Sequence, residues 1–365
     1  MTSESGGTAV PLVTPARPEG AAEAVMSDVS EILTSGRYRV GDGHAATVAS
    51  LLSDQYDLPV GWDVLTFRSG TDALARALAG LGIGVGARVG VPDLAYHAVA
   101  GVVLMAGGTP VPLDVDADDW NLSVAAVAEA LDREGLDAVI AVDNYGTPCD
   151  RARLGDLCRR WEIPLVLDAC ESLGADDPSG LPVSRHVDAV AVSFSFTKPV
   201  HAAGAGGALA IGEKGAARIL ETEHLLSRQV QLPELNAAFL ARTWAQLDAN
   251  VERLRGQYDR YRAVLEPRGF VAQPERGRGT RLHAPFLLPE GSTTVDRDRL
   301  VALLADAGIE ARPMFPSQSR LLGLGAPPPV SAEVDRRVLC LPTGSGLVVS
   351  DVAERVEAVV TSWAA

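Results

Sequence analysis

Between Asp63 and about Gly212, short apolar runs alternate with stretches of helical spacing, and no other property of the chain restricts its fold as tightly. The runs are Asp63 to Phe67, Arg88 to Val91, Pro110 to Leu113, Ala138 to Val142, Pro164 to Leu167, Val187 to Phe194 and Gly207 to Ile211. Such alternation predicts an α/β unit, a mainly parallel sheet with helices on both faces. Ligands of such sheets bind beyond the carboxyl ends of the strands. Chemistry is therefore to be sought in the residues that follow each run.

Three strand ends stand out. After Val187 to Val192 comes Ser193-Phe194-Ser195-Phe196-Thr197-Lys198, and then a glycine cluster, Gly204-Ala205-Gly206-Gly207. An amine at the end of a buried strand loses solvation, which favours its neutral form and lets it attack an aldehyde. Upstream, Ile163 to Leu167 ends in Asp168, a carboxylate at a second strand end. Pyridoxal phosphate is a cofactor that needs both: a lysine for its aldehyde, and a carboxylate that keeps its ring nitrogen protonated so that the ring can accept electrons. A phosphate also needs a cradle. Asp63 to Phe67 leads through Arg68-Ser69 into Gly70-Thr71-Asp72, and a helical pattern (Ala73, Leu74, Ala77, Leu78, Leu81) begins there. Gly70 permits close approach of the backbone, Thr71 offers a capping hydroxyl, and the free N–H groups of the first helical turn face an anion.

Taken in order and spacing, Ser69-Gly70-Thr71-Asp72-Ala73-Leu74, Val91-Pro92-Asp93-Leu94-Ala95-Tyr96, Asp168-Ala169-Cys170-Glu171-Ser172-Leu173-Gly174 and Ser193-Phe194 with Thr197-Lys198 resemble the DegT/DnrJ/EryC1/StrS aminotransferases. These are sugar and aminocyclitol aminotransferases of fold type I. The resemblance runs from about Ile32 to the C-terminus. It implies that Lys198 forms the imine with the cofactor and later shuttles a proton, that Asp168 pairs with the pyridine nitrogen, and that Tyr96 stacks on the cofactor face. It further implies that Gly70, Thr71 and Ser193 bind the phosphate. Glu171 falls where the family contacts the ring hydroxyl, and a protonated or water-bridged Glu171 is expected there, because two negative groups repel.

The chain departs from the family pattern in several places. Gly204-Ala205-Gly206-Gly207 stands where many relatives have Gly-Glu-Gly-Gly, with one extra residue after the lysine. Gln229-Val230-Gln231 replaces the Asn-Tyr-Arg segment through which a neighbouring subunit reaches the phosphate. Glu310-Ala311-Arg312-Pro313 resembles the substrate-side Thr-Arg-Pro stretch without its histidine. Arg312 is a candidate clamp for the donor carboxylate, and His201, three residues past Lys198, is the histidine placed to face the substrate.

With 365 residues, 47% of them hydrophobic, the chain can bury a large core and is expected to form two domains. Residues 1–245 would form the large cofactor-binding domain with the N-terminal segment included, and 246–365 a linking helix and a smaller α+β domain. Leu235, Phe239, Leu240, Trp244, Leu247, Val251, Leu254, Tyr258, Tyr261 and Leu265 predict one helix of about eight turns at that junction. Val338 to Pro342 reads as a strand facing the active site and Val349 to Trp363 as the last helix. The net charge of −15 disfavours nucleic acid and anionic membranes as partners. Cys149, Cys158, Cys170 and Cys340 lack metal spacing and read as reduced thiols of a cytoplasmic protein, with Cys170 a small core filler. The six histidines show no paired ligand spacing, so no metal is expected.

These readings converge on an aminotransferase of biosynthesis, sugar or secondary-metabolite, that uses small-molecule partners: glutamate or glutamine as donor and a keto or aldehyde intermediate as acceptor. The resemblance implies a homodimer. Two alternatives stand beside it. One is an elimination or dehydration enzyme on the same cofactor, whose relatives carry histidine in place of the lysine; the other is a non-catalytic regulator that kept the fold, to which Ala205 and Gln231 would point.

Overall fold

The computed structural model describes residues 9–38, 43–225, 231–348 and 350–364. Two helices, α1 (Ala22–Ser35) and α2 (His44–Gln55), precede the main unit. That unit runs β1 (Trp62–Phe67), α3 (Gly70–Leu81), β2 (Arg88–Pro92), α4 (Ala98–Met105), β3 (Thr109–Leu113), α5 (Val124–Glu134), β4 (Ala138–Val142), α6 (Arg151–Arg160), β5 (Leu165–Asp168), β6 (Ala189–Ser193), β7 (Gly207–Gly212) and α7 (Glu213–Leu225). The strands form one sheet of seven in the order β1-β7-β6-β5-β4-β2-β3. Pairing from β3 through β6 is parallel, and β7 lies antiparallel to both of its neighbours, β6 and β1. The mainly parallel α/β sheet expected from the alternation is thus present, with a single strand reversed.

Period-two alternation assigns each strand face to its own core. Leu165 and Leu167 of β5 pack with Leu52, Leu131 and Leu154 on one side, whereas Val166 packs with Leu78, Val99 and Ile219 on the other. A sheet covered on both faces exposes only its strand ends, and the functional loops gather there.

The chain continues through α8 (Glu234–Thr243) and α9 (Leu247–Leu265). The single long helix expected here is interrupted by a tight turn at Trp244–Gln246. Thr243 Oγ1 donates back to the carbonyls of Phe239 and Leu240 at 3.0 and 3.3 Å, a contact that competes with the helical ladder and bends it. The apolar stripe survives the break: Leu240, Trp244, Leu247 and Val251 belong to the large core, and Tyr258, Tyr261 and Leu265 to a separate one.

That separate core is closed by β8 (Val271–Ala272), β9 (Pro285–Leu287), α10 (Thr294–Asp306), β10 (Val338–Cys340) and α13 (Ser350–Ala364), and the chain between α10 and β10 forms α11 (Gln318–Leu321) and α12 (Pro329–Arg337). Its strands form a three-stranded antiparallel sheet in the order β10-β9-β8. Residues 10–14 run along this unit, whereas α1 and α2 pack against α8 and β1. Val10 bridges Ile309 and Val13 bridges Thr343, because an apolar extended segment finds its unpaired backbone partners at this edge. A fourth cluster, with Leu94, Trp120, Tyr145, Leu287, Phe315 and Cys340, joins the strand ends of the large sheet to the small one.

Gly207 shows how tightly the first strand end is packed. A Cβ there would overlap the carbonyl of Ser69 and come within 2.6 Å of the Gly70 nitrogen, whereas one at Gly212 would meet nothing within 4 Å. Overpacking of this kind costs roughly 1–3 kcal/mol. Gly207→Ala should therefore lower the unfolding free energy measured in urea by an amount in that range, and Gly212→Ala should stay within about 0.5 kcal/mol of wild type. Equal midpoints for the two variants would contradict the close approach.

Candidate active site

All seven residues singled out in the sequence, Gly70, Thr71, Tyr96, Asp168, Glu171, Ser193 and Lys198, line one cavity of about 410 Å3. The fold brings them together through the carboxyl ends of β1, β2, β5 and β6. Asn144, just past β4, completes the row, and His283, Met314 and Phe315 close it from the C-terminal unit.

The cradle is built by contact between three elements. Gly70 opens α3, and a Cβ there would come within 2.6 Å of the Cys170 sulfur and 2.9 Å of the Ser193 Cβ, so glycine is required. The helix is capped by Ser69, whose Oγ accepts the Asp72 amide at 3.0 Å; Thr71, expected as the capping residue, sits two residues later and is exposed. With Asp72 satisfied by the cap, the Gly70 and Thr71 amides are the first-turn donors left without helical partners. The Ser193 Oγ accepts the Ser195 amide at 3.3 Å, which leaves its own O–H to donate. Two amides, a hydroxyl and a helix N-terminus suit a phosphate.

Asp168 is 8% exposed at the end of β5. Burial pushes its carboxyl up from the ordinary range, opposed by the Cys170 thiol and by the Cys170 amide at 3.0 Å. A buried carboxylate with few partners is suited to hold a ring N–H. The Cys170 thiol, read as core filler, lines the cavity instead, and burial pushes it well above its ordinary value, so it stays neutral.

Lys198 sits in a loop zipped to the glycine cluster, its amide on the Ser195 carbonyl at 2.9 Å and the Phe194 amide on the Gly206 carbonyl at 2.8 Å. Its Nζ donates to Glu171 Oε1 at 3.3 Å. The same oxygen faces His283 Nε2 at 2.7 Å, and Oε2 accepts the Tyr145 amide at 3.0 Å. Burial alone would push the Glu171 carboxyl up, but His283 and Lys198 outweigh it and hold it at about 2. With the His283 and Lys198 nitrogens beside it, the carboxyl is held low in the cofactor-free site, whereas the protonated or water-bridged Glu171 expected beside the ring hydroxyl concerns the cofactor-bound site.

Other expectations are also revised. Arg312 does not line the cavity; its guanidinium is exposed and pairs with Glu310 at 2.5 Å. His201 faces away from it, buried with Nε2 on the Ala16 carbonyl at 3.0 Å and its ring stacked on Phe239. β10 was expected to face the site, yet the lining comes from Met314 and Phe315, with Cys340 beneath them against the Met314 carbonyl. Gln229 lies outside the described residues, and Gln231 Oε1 is buried without a hydrogen-bond partner. Sequence reasoning missed Asn144 and His283. Asn144 follows a recognised strand and could have been found by the strand-end rule, whereas nothing in the spacing around His283 marks it.

Comparison with known proteins places these features in context. Residues 21–360 match the model of the DegT/DnrJ/EryC1/StrS aminotransferase family. The chain is 29% identical over 372 residues to the L-glutamine:2-deoxy-scyllo-inosose aminotransferase of Streptomyces fradiae, covering 90% of this chain and 86% of that protein. Its fold superposes on the crystal structure of S. venezuelae DesV in complex with a ketimine intermediate, with a TM-score of 0.83, 26% identity, and coverage of 98% of this chain and 99% of that one. It also matches NtdA of Bacillus subtilis with bound cofactor PMP at a TM-score of 0.82 and 20% identity, covering 100% of this chain and 87% of that one.

A carboxyl held low in the folded state stabilises the fold above its unfolded value and loses that contribution as pH falls through the folded one. Glu171 should therefore make the cofactor-free protein progressively less stable between about pH 4.5 and about pH 2. Denaturant unfolding at a series of pH values should show Glu171→Gln less stable than wild type at neutral pH, with the two converging at the acid end. Parallel profiles would contradict the ionised carboxylate.

Proposed function

The chain belongs to the DegT/DnrJ/EryC1/StrS aminotransferase family and is a pyridoxal-phosphate-dependent aminotransferase; we propose that it moves an amino group from glutamate or glutamine to a keto or aldehyde group of a sugar, cyclitol or related polar intermediate. The observation that carries this reading is the gathering of Lys198, Asp168 and the Gly70-Thr71 cradle around one cavity. Pyridoxal phosphate, when bound, supplies the electron sink and the temporary carrier of nitrogen.

Each residue then has a task of its own. The amides of Gly70 and Thr71 and the Ser193 hydroxyl bind the phosphate. Asp168 holds the proton on the ring nitrogen, for which its burial leaves it few other partners. Tyr96, at the rim, covers one face of the ring. Lys198 Nζ takes the α-proton of the donor and returns a proton to the acceptor carbon, so one amine serves both half-reactions as base and then acid. Glu171 keeps that amine within 3.3 Å when it is free. Ser69, Thr71, Ser195, Thr197 and Asn144 line the cavity with uncharged hydrogen-bonding groups, a surface that suits a hydroxylated acceptor. The lysine also speaks against the dehydratase reading, and the coherence of lysine, carboxylate and cradle against a regulator that lost its chemistry.

The working unit is proposed to be a homodimer. Tyr96 and Phe196 are 49% and 53% exposed at the cavity rim, which is more apolar surface than a finished site leaves open to water.

Lys198→Ala should fold normally yet lack the borohydride-reducible visible band and all turnover. A variant that kept the band would overturn the assignment. Asp168→Ala should retain cofactor poorly and react slowly; wild-type rates would return Asp168 to a structural role. A screen of keto sugars and cyclitols against glutamate and glutamine, read by loss of the visible band, should find its acceptor among polyhydroxylated ketones. Light scattering should give a dimer, and a fully active monomer would contradict the proposed unit.

A further inference from the structure

His283 enters the cavity on the turn before β9, between Arg281 at φ 62° and Ala284 at φ 39°. Side chains other than glycine rarely adopt this backbone region, and such outliers persist where surrounding contacts hold them. Here Thr343 donates to the Leu282 carbonyl, the Leu341 amide to the Ala284 carbonyl, and the Arg281 guanidinium lies 4.5 Å over the Tyr258 ring. The turn sets the imidazole, 5% exposed, with Nε2 2.7 Å from Glu171 Oε1 and the edge of the ring toward Phe315. Nδ1 is buried with no hydrogen-bond partner.

The inference rests on the proposed function: if the cofactor binds with its ring hydroxyl oxygen at Glu171, as the family resemblance implies, a bare carboxylate there is repelled by that oxygen. Lys198 cannot be its permanent counter-ion, because Nζ is committed to the chemistry. Among the described residues, His283 is the other side chain hydrogen-bonded to the carboxylate. The remaining titratable neighbours supply no positive charge. Asp168 adds negative charge from β5, while the Cys170, Cys340 and Tyr145 side chains are kept neutral by burial.

We propose that His283 and Glu171 work as an imidazolium–carboxylate pair of zero net charge, which lets Glu171 stand beside the ring oxygen while ionised and sets the field at Lys198 Nζ. His283 is in this sense a positioning residue that acts through Glu171. It makes the C-terminal unit a contributor to the charge of a site otherwise built on the large sheet.

The test is a spectrophotometric pH titration of the visible band in the cofactor-loaded protein, with cofactor dissociation constants from tryptophan fluorescence. In His283→Gln the carboxylate loses its counter-ion. The band midpoint should rise by about one unit, a tenfold change in the proton equilibrium, and cofactor binding should weaken by about tenfold. Glu171→Gln should lower the midpoint, and adding His283→Gln to it should change nothing further. A midpoint that moves in Glu171→Gln but not in His283→Gln overturns the pair and leaves Glu171 at the ring; if neither moves, both fall together. Imidazole 15N spectra of the wild-type holoenzyme read the same point without substitution. Protons on both His283 nitrogens at neutral pH support the pair, and a neutral ring overturns it.

Discussion

The site hangs on one buried carboxylate. Glu171 accepts from Lys198 in the loop after β6, from His283 on the turn before β9, and from the backbone of Tyr145 after β4. Desolvating a carboxylate is costly unless charge and hydrogen bonds replace the lost water, and here both do. Because the partners come from separate parts of the chain, satisfying this group also fixes the two units against each other. Tyr145 reinforces the join. It adopts φ 57°, so that its amide meets Glu171 while its hydroxyl accepts the Phe315 amide at 2.9 Å, and its ring stacks on Phe315.

A second constraint is steric. At the other end of the cavity Gly70, Cys170, Ser193 and Gly207 meet so closely that two of the four positions admit no side chain. This contact presses the N-terminus of α3 against the ends of β5, β6 and β7 and points its free amides into the cavity. Electrostatics at one end and backbone packing at the other fix the two ends of the cavity.

Much of this was legible in the sequence because it is carried by local patterns. The strand runs, the glycine before α3 and the strand-end residues Asp168, Ser193 and Lys198 are each encoded within a few residues, and alternation of apolar runs gave the sheet its parallel character. What stayed hidden depends on contacts distant in sequence. His283 lies 112 residues from Glu171, and its turn is held by Thr343 and Leu341 rather than by its own neighbours. The partners of Glu171 stayed hidden for the same reason, since neither Lys198 nor His283 can be seen from the Asp168-to-Gly174 stretch alone. Arg312 and His201 were favoured for their place in a pattern, yet Arg312 pairs with its near neighbour Glu310 and His201 with the distant Ala16 carbonyl. The break at Trp244–Gln246 is invisible to apolar spacing because the stripe continues through it.

The central claim is that Lys198 is the amine around which the cavity is built. Lys198 and Lys214 are the chain's lysines, and Lys214 lies exposed on α7. Borohydride reduction of the cofactor-loaded protein, followed by peptide mass spectrometry, separates them directly. The account predicts the reduced cofactor on the peptide that carries Lys198 and none on that of Lys214; label on Lys214, or cofactor released unreduced from both, would contradict it.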